Sequence, residues 1–176
     1  LQERDRVIPE RIIYWASRGK NGNLVKEVEL MDIKKIGLRC LDGLLLALRT
    51  NYGVKETEPF LALEALGKEG IITDKEKRDM EKAYKFCLSV RDLIFLQIKK
   101  ASGGKKFFWH SILYPDLAEY IGKKMGYGNE EKLQERYIKH GQRVLEIAQR
   151  RFTQIFNIVG DKVEHNERKT EPADKK

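Results

Sequence analysis

From Leu133 to Val159 the residues Leu133, Tyr137, Gly141, Val144, Ala148, Phe152, Ile155 and Val159 follow one another in steps of four and three. Only an α-helix brings such residues onto one face, and over about four heptads that face needs a partner along its whole length. Glycine on the seam argues for a helix packed in a bundle over a free coiled coil. A second stripe, Met80, Ala83, Tyr84, Cys87, Arg91, Ile94, Ile98 and Ala101, has the same spacing and predicts a helix over about 75–101. Two long one-sided helices in one chain predict an all-α fold, a bundle of five to six helices.

Punctuation between the apolar runs supplies the remaining elements. Pro9 suits the first turn of a short helix carrying Ile12, Ile13, Trp15 and Ala16, which ends before Gly19 and Gly22. Leu24 to Ile33 alternates imperfectly and reads as an extended connector or irregular strand. A helix from about Ile36 to Tyr52 stops at Gly53; Thr57 and Pro59 then read as cap and first turn of a helix with Phe60, Leu61, Leu63 and Leu66. Thr73 or Asp74 caps the long helix. Gly103 and Gly104 end it, and Pro115 opens a short helix through Met125. We expect a bundle domain over 1–160, with its core in 24–160, and a disordered tail over 161–176 where hydrophobes nearly vanish.

The 176 residues are 41% hydrophobic and 35% charged, enough for a buried core and above the roughly 25% charge of typical soluble domains. The net charge of +8 belongs to the folded part, because 161–176 holds five basic and five acidic residues. A basic domain suits nucleotides, nucleic acid or an acidic protein, and charge alone does not choose among them. Cys40 and Cys87 each sit in an apolar helical context, as reduced core thiols of a cytoplasmic protein do. The longest apolar run, Leu44 to Leu48, is far too short to cross a bilayer, so no membrane partner is expected. The chain starts at Leu1 with no methionine, which fits a piece of a longer protein.

Charge and apolar density meet in Met31–Tyr52, the stretch that organises the chain. It is expected to start extended, turn at Gly37, and continue as a helix with Leu38, Leu41, Leu45, Leu48 and Tyr52 inside and Arg39, Asp42 and Arg49 on another face. Lys34, Lys35 and Arg39 flank the turn at Gly37. They are either a solvated turn or an anion site where helix N–H groups and side-chain charge converge. Arg91, on an apolar stripe, must be hydrogen bonded. Its partner is either Asp42, Asp32 or Glu27, or a phosphate gripped together with Arg39 across a polar cleft.

Lys105, Lys106, Phe107, Phe108, Trp109 and His110 interleave cations with aromatic rings. That composition serves for stacking bases beside phosphates, and equally for rings folded over the bundle. Arg136, Arg143 and Arg150, with Lys139 and Arg151, form either a basic ridge or a solvated outer face. His110, His140 and His165 are scattered and no metal-ligand spacing is present. A nucleophile elbow, a phosphate loop and a dinucleotide fingerprint are absent. So is a Gly-Ser followed by Asp-x-Asp, the carboxylate pair of a two-metal centre. No catalytic residue, metal or cofactor is assigned to this chain.

Asp32-Ile33-Lys34-Lys35-Ile36-Gly37-Leu38-Arg39, followed by an apolar helix, resembles the Lys-x-Gly-Gly-Leu-Arg turn of the helical domains that accompany polymerase-beta-like nucleotidyltransferases. These include PII uridylyltransferases, glutamine synthetase adenylyltransferases and a CBS-linked group. Leu88-Ser89-Val90-Arg91, Pro115-Asp116-Leu117-Ala118 through Met125-Gly126-Tyr127, and Glu131 to Tyr137 resemble later landmarks of the same domain, over about 24–156. The chain departs from the pattern at Ile36, in place of the first glycine, and at Cys40. The resemblance implies a helical substrate-binding or regulatory domain packed against an upstream catalytic domain that uses Mg and a nucleoside triphosphate. It implies that Lys34, Gly37, Arg39 and Arg91 lie at or near the cleft between them, and that a protein or small molecule is the acceptor. A nucleic-acid-binding or protein-interaction bundle is the alternative.

Overall fold

The computed structural model describes residues 9–13, 15–16, 33–101 and 115–153. Among them every regular element is helical, and the chain is an all-α bundle. Residues 9–13 and 15–16 are helical. A π-helical turn, Ile33–Leu38, runs straight into α1, Arg39–Tyr52. Then come α2, Pro59–Lys68, α3, Asp74–Ala101, α4, Pro115–Lys124, and α5, Glu130–Arg151. Residues 24–32, the Lys105–His110 segment and the 161–176 tail lie outside the described residues.

The helix ends follow local chemistry. Gly53 takes the left-handed conformation at φ 71° and donates its N–H to Arg49, closing α1. Pro59 occupies the first turn of α2, and the cap is Glu58, not Thr57. Its carboxylate accepts from the Leu61 N–H at 2.8 Å, a reach that the residue directly before the proline has and Thr57 lacks. Thr73 caps α3 through a reciprocal box, with Thr73 N–H donating to Glu76 Oε2 at 2.8 Å and Glu76 N–H to Thr73 Oγ1 at 3.2 Å. Asn129 caps α5 by accepting from Lys132 N–H at 3.0 Å.

α3 is the axis of the bundle, touching the π turn and α1, α2, α4 and α5. Its buried stripe is Met80, Ala83, Tyr84, Cys87, Val90 and Ile94. Arg91 is not on it: Val90 is fully buried, whereas the Arg91 side chain is 47% exposed. A 3.6-residue period places Val90 on the buried side and turns Arg91 toward the edge. Leu38, Leu41, Leu45 and Leu48 are buried as expected, Leu44 is buried with them, and Tyr52 is 45% exposed at the end of α1.

The stretch expected to start extended is helical from Ile33. Wider π turns insert one residue into the helix and shift its face. Here Gly37 comes so close to α3 and α5 that a Cβ on it would sit 2.9 Å from Cys87 Sγ and 3.3 Å from the Tyr137 ring. On α5, Leu133, Tyr137, Gly141, Val144 and Ala148 are buried as the spacing predicts. As described, α5 runs to Arg151, with Phe152 leaving helical geometry at φ −137°; Ile155 and Val159 of the expected stripe lie outside the described residues. The N-terminal helical residues lie on α5, with Trp15 Nε1 donating to the Tyr137 carbonyl at 2.9 Å.

Candidate functional site

The stretches around Gly37 and Arg91, 54 positions apart in sequence, meet where the π turn and α1 cross α3. Asp42 is one turn into α1. Its Oδ1 accepts the Tyr84 hydroxyl at 3.0 Å. Partial burial raises the Asp42 carboxyl above its usual range, while the Tyr84 hydrogen bond and the positive charge of Arg91 act in the opposite direction. The Arg91 guanidinium lies close enough to act on Asp42, yet its hydrogen bonds, from Nε at 3.1 Å and Nη2 at 3.0 Å, go to Asp92 Oδ1. Among the described residues the Arg91 ion pair is thus with Asp92 and not with Asp42, because Arg91 stands at the helix edge where Asp92 is in reach; Asp32 and Glu27, the other partners expected, lie outside the described residues.

Tyr84 is the contributor that spacing alone misses. It reads as one more ring of the α3 stripe, but a buried tyrosine requires a partner for its hydroxyl, and that requirement was the available signal. Burial, followed by the Asp42 charge and hydrogen bond, raises its pKa and keeps it a donor. Phe60 packs on its ring at 5.9 Å between centroids. Replacing Tyr84 by phenylalanine is expected to cost about 1 kcal/mol and raise the Asp42 pKa further, since only the hydroxyl is lost. Thermal unfolding and an NMR titration of the Asp42 carboxyl would check both; an unchanged Asp42 titration counts against the assignment.

Arg39, Asp42, Leu46 and Arg49 recur every three or four residues along the outer side of α1. Leu46 is 57% exposed there. On α3 the line Tyr84, Leu88, Arg91, Phe95 starts buried against Asp42 and emerges at Arg91 and at Phe95, which is 51% exposed. Lys34 and Arg39 are exposed on the π turn and the first residue of α1. Gly37 is inside helical backbone, one turn past Ile33, so no helix N-terminus opens at it. Close packing on Cys87 and Tyr137 accounts for the glycine. Of Lys35 only the helical backbone is described, and Lys105, Lys106, Trp109 and His110 lie outside the described residues.

Both thiols are free and buried. Burial pushes Cys40 up to about 12 and raises Cys87 as well, which makes neither a nucleophile near neutral pH. Among the described residues no group of three His, Cys, Asp or Glu side chains could hold a metal ion. Among them, too, no helix is long and apolar enough to cross a membrane. What remains is a half-exposed face of fixed charge and apolar side chains, suited to holding a partner. No protein-family model, curated protein or solved structure matches the chain.

Proposed function

We propose that this chain is the non-catalytic helical domain of a cytoplasmic uridylyl- or adenylyltransferase-like nucleotidyltransferase, binding substrate or regulating a catalytic domain docked on the Asp42–Arg91 face. One observation carries the reading. The first stretch that resembles the helical domains of such enzymes packs through Gly37 on Cys87, the residue just before the second stretch, 88–91, and one turn further on Asp42 is held by Tyr84 within the field of Arg91. Leu46 and Phe95 supply apolar area beside them, as the centre of a domain interface requires.

The contribution of the chain is positioning. Arg39 and Arg91 place positive charge where nucleotide phosphates or an acidic acceptor would lie, and Tyr84 fixes Asp42 so that the charges keep their arrangement. Mg and the nucleoside triphosphate belong to the catalytic domain, which supplies the phosphoryl chemistry. The nucleic-acid alternative draws less support. Three of the five ridge cations are committed inside the protein, Arg143 to Glu146 and Arg150 and Arg151 to Glu76.

Three measurements test the reading. The chain alone, given Mg with UTP or ATP, should release no pyrophosphate; turnover would refute the non-catalytic assignment. The reading frame ahead of residue 1 should encode Gly-Ser and Asp-x-Asp motifs. That catalytic domain, expressed separately, should bind the chain and lose it on Arg39→Glu with Arg91→Glu. Absence of the motifs would return the chain to a protein-interaction bundle.

A further inference from the structure

α5 carries a second face that the proposed function leaves unused. Lys132, Arg136, Lys139, Arg143 and Arg150 fall within a narrow arc of its circumference, a straight line of cations about 27 Å long at 1.5 Å per residue. Arg143 and Arg150 are already paired, with Glu146 and Glu76. Lys132 and Lys139, and Lys82 on α3, whose charge reaches His140, have no ion-pair partner among the described residues. Arg136 lies over the Tyr127 ring at 5.8 Å. His140, at the edge of the line, stacks on Phe86 at 4.9 Å. Burial depresses its pKa to about 4, Arg136, Lys139 and Lys82 adding to the effect and Asp79 opposing it. One imidazole thus records the field of three cations from two helices.

We infer that this α3–α5 face, centred on Arg136 and Lys139 with Lys132 and Lys82 beside them, docks an acidic helical segment of a partner protein. A helix with glutamates at steps of three and four matches cations set at the same steps on a straight rod. A single strand of nucleic acid needs bare rings for its bases. Among the described residues the rings near this face are taken: Tyr127 by Arg136, Tyr120 by Lys124 at 5.8 Å and His140 by Phe86. This inference stands apart from the nucleotidyltransferase reading, since it involves neither Asp42 nor Arg91.

The test is fluorescence anisotropy with a labelled helical Glu-Ala peptide of about 20 residues, its glutamates three and four apart, beside oligo-dT of similar length. At about 50 mM salt the peptide should bind more tightly than the oligonucleotide, and weaken as salt rises. Arg136→Glu with Lys139→Glu should weaken it about tenfold, as two exposed pairs lost. Lys132→Glu with Lys82→Glu serves as a second variant that leaves the Tyr127 contact intact, and Lys55→Glu, exposed between α1 and α2, should change nothing. Saturating peptide should also move the His140 titration up from about 4, because its carboxylates offset the cations around the ring. Equal or tighter oligo-dT binding would overturn the proposal in favour of nucleic acid. No peptide binding, binding indifferent to both charge reversals, or an unmoved His140 would overturn it outright.

Discussion

Replacing Glu76 by alanine should remove about 2–4 kcal/mol of stability, the largest loss expected from any single charged residue described, because it strands cations and uncaps a helix at once. Glu76 is 2% exposed. It accepts from the backbone N–H of Thr73 at 2.8 Å, the Thr73 hydroxyl at 3.0 Å and the Arg151 guanidinium, with Arg150 at 3.4 Å. It therefore ties the start of α3 to the end of α5, two points 75 positions apart. The figure sits below the usual cost of breaking a buried pair because Arg150 is half-exposed and regains water.

The loss should depend on pH in a defined direction. Burial by itself raises the Glu76 carboxyl, but Thr73 and Arg151 together reverse this and hold it below the usual carboxylate range. A depressed acid stabilises fully above its unfolded pKa of about 4.5, and that stability is lost as pH falls through the folded value. The gap between wild type and Glu76→Ala, measured by urea unfolding, should therefore be constant near neutrality and shrink in acid. A gap that widens on acidification would show that the carboxylate is not the stabilising form. His140 adds a separate window: its depressed pKa means that stability present above about 6.5 declines as pH falls toward about 4.

Gly141→Val should cost about 2–3 kcal/mol and lower Tm by about 5–10 °C. A Cβ at Gly141 would lie 2.6–2.8 Å from three ring atoms of Trp15, and a fused indole on a short stem cannot yield as a lysine tip can. The ring must leave, and with it goes the hydrogen bond to the Tyr137 carbonyl. Better helix propensity than glycine recovers only a few tenths of a kcal/mol. In a Trp15→Ala background the valine should be nearly harmless. Equal cost in both backgrounds would mean that the indole is not the obstacle.

The glycine at 141 shows how much was legible. Its place on the α5 seam follows from steps of four and three, and that seam is buried from Leu133 to Ala148 as the spacing requires. What covers it, a tryptophan 126 positions earlier, leaves no mark in any local pattern. Gly37 is the converse. Its charged neighbours left it either a solvated turn or the opening of an anion site, while the π turn puts it mid-helix against Cys87. A π turn comes from tertiary packing, so the simple helical period could not announce it. Arg91 was misplaced by one position for a related reason: Val90 and Arg91 both lie near the stripe, and only the position of α1 decides which of them faces it.

Helix existence, bundle class, most capping residues and the inward faces were determined by the sequence itself, because they depend on interactions within one or two turns, which period and cap chemistry record. Tertiary structure decided the rest: that Tyr84 reaches Asp42, that Arg91 turns to Asp92, and that Glu76 holds two arginines of α5. Those contacts join residues far apart in the chain, and their partners are chosen by how helices cross, a geometry that no local spacing encodes.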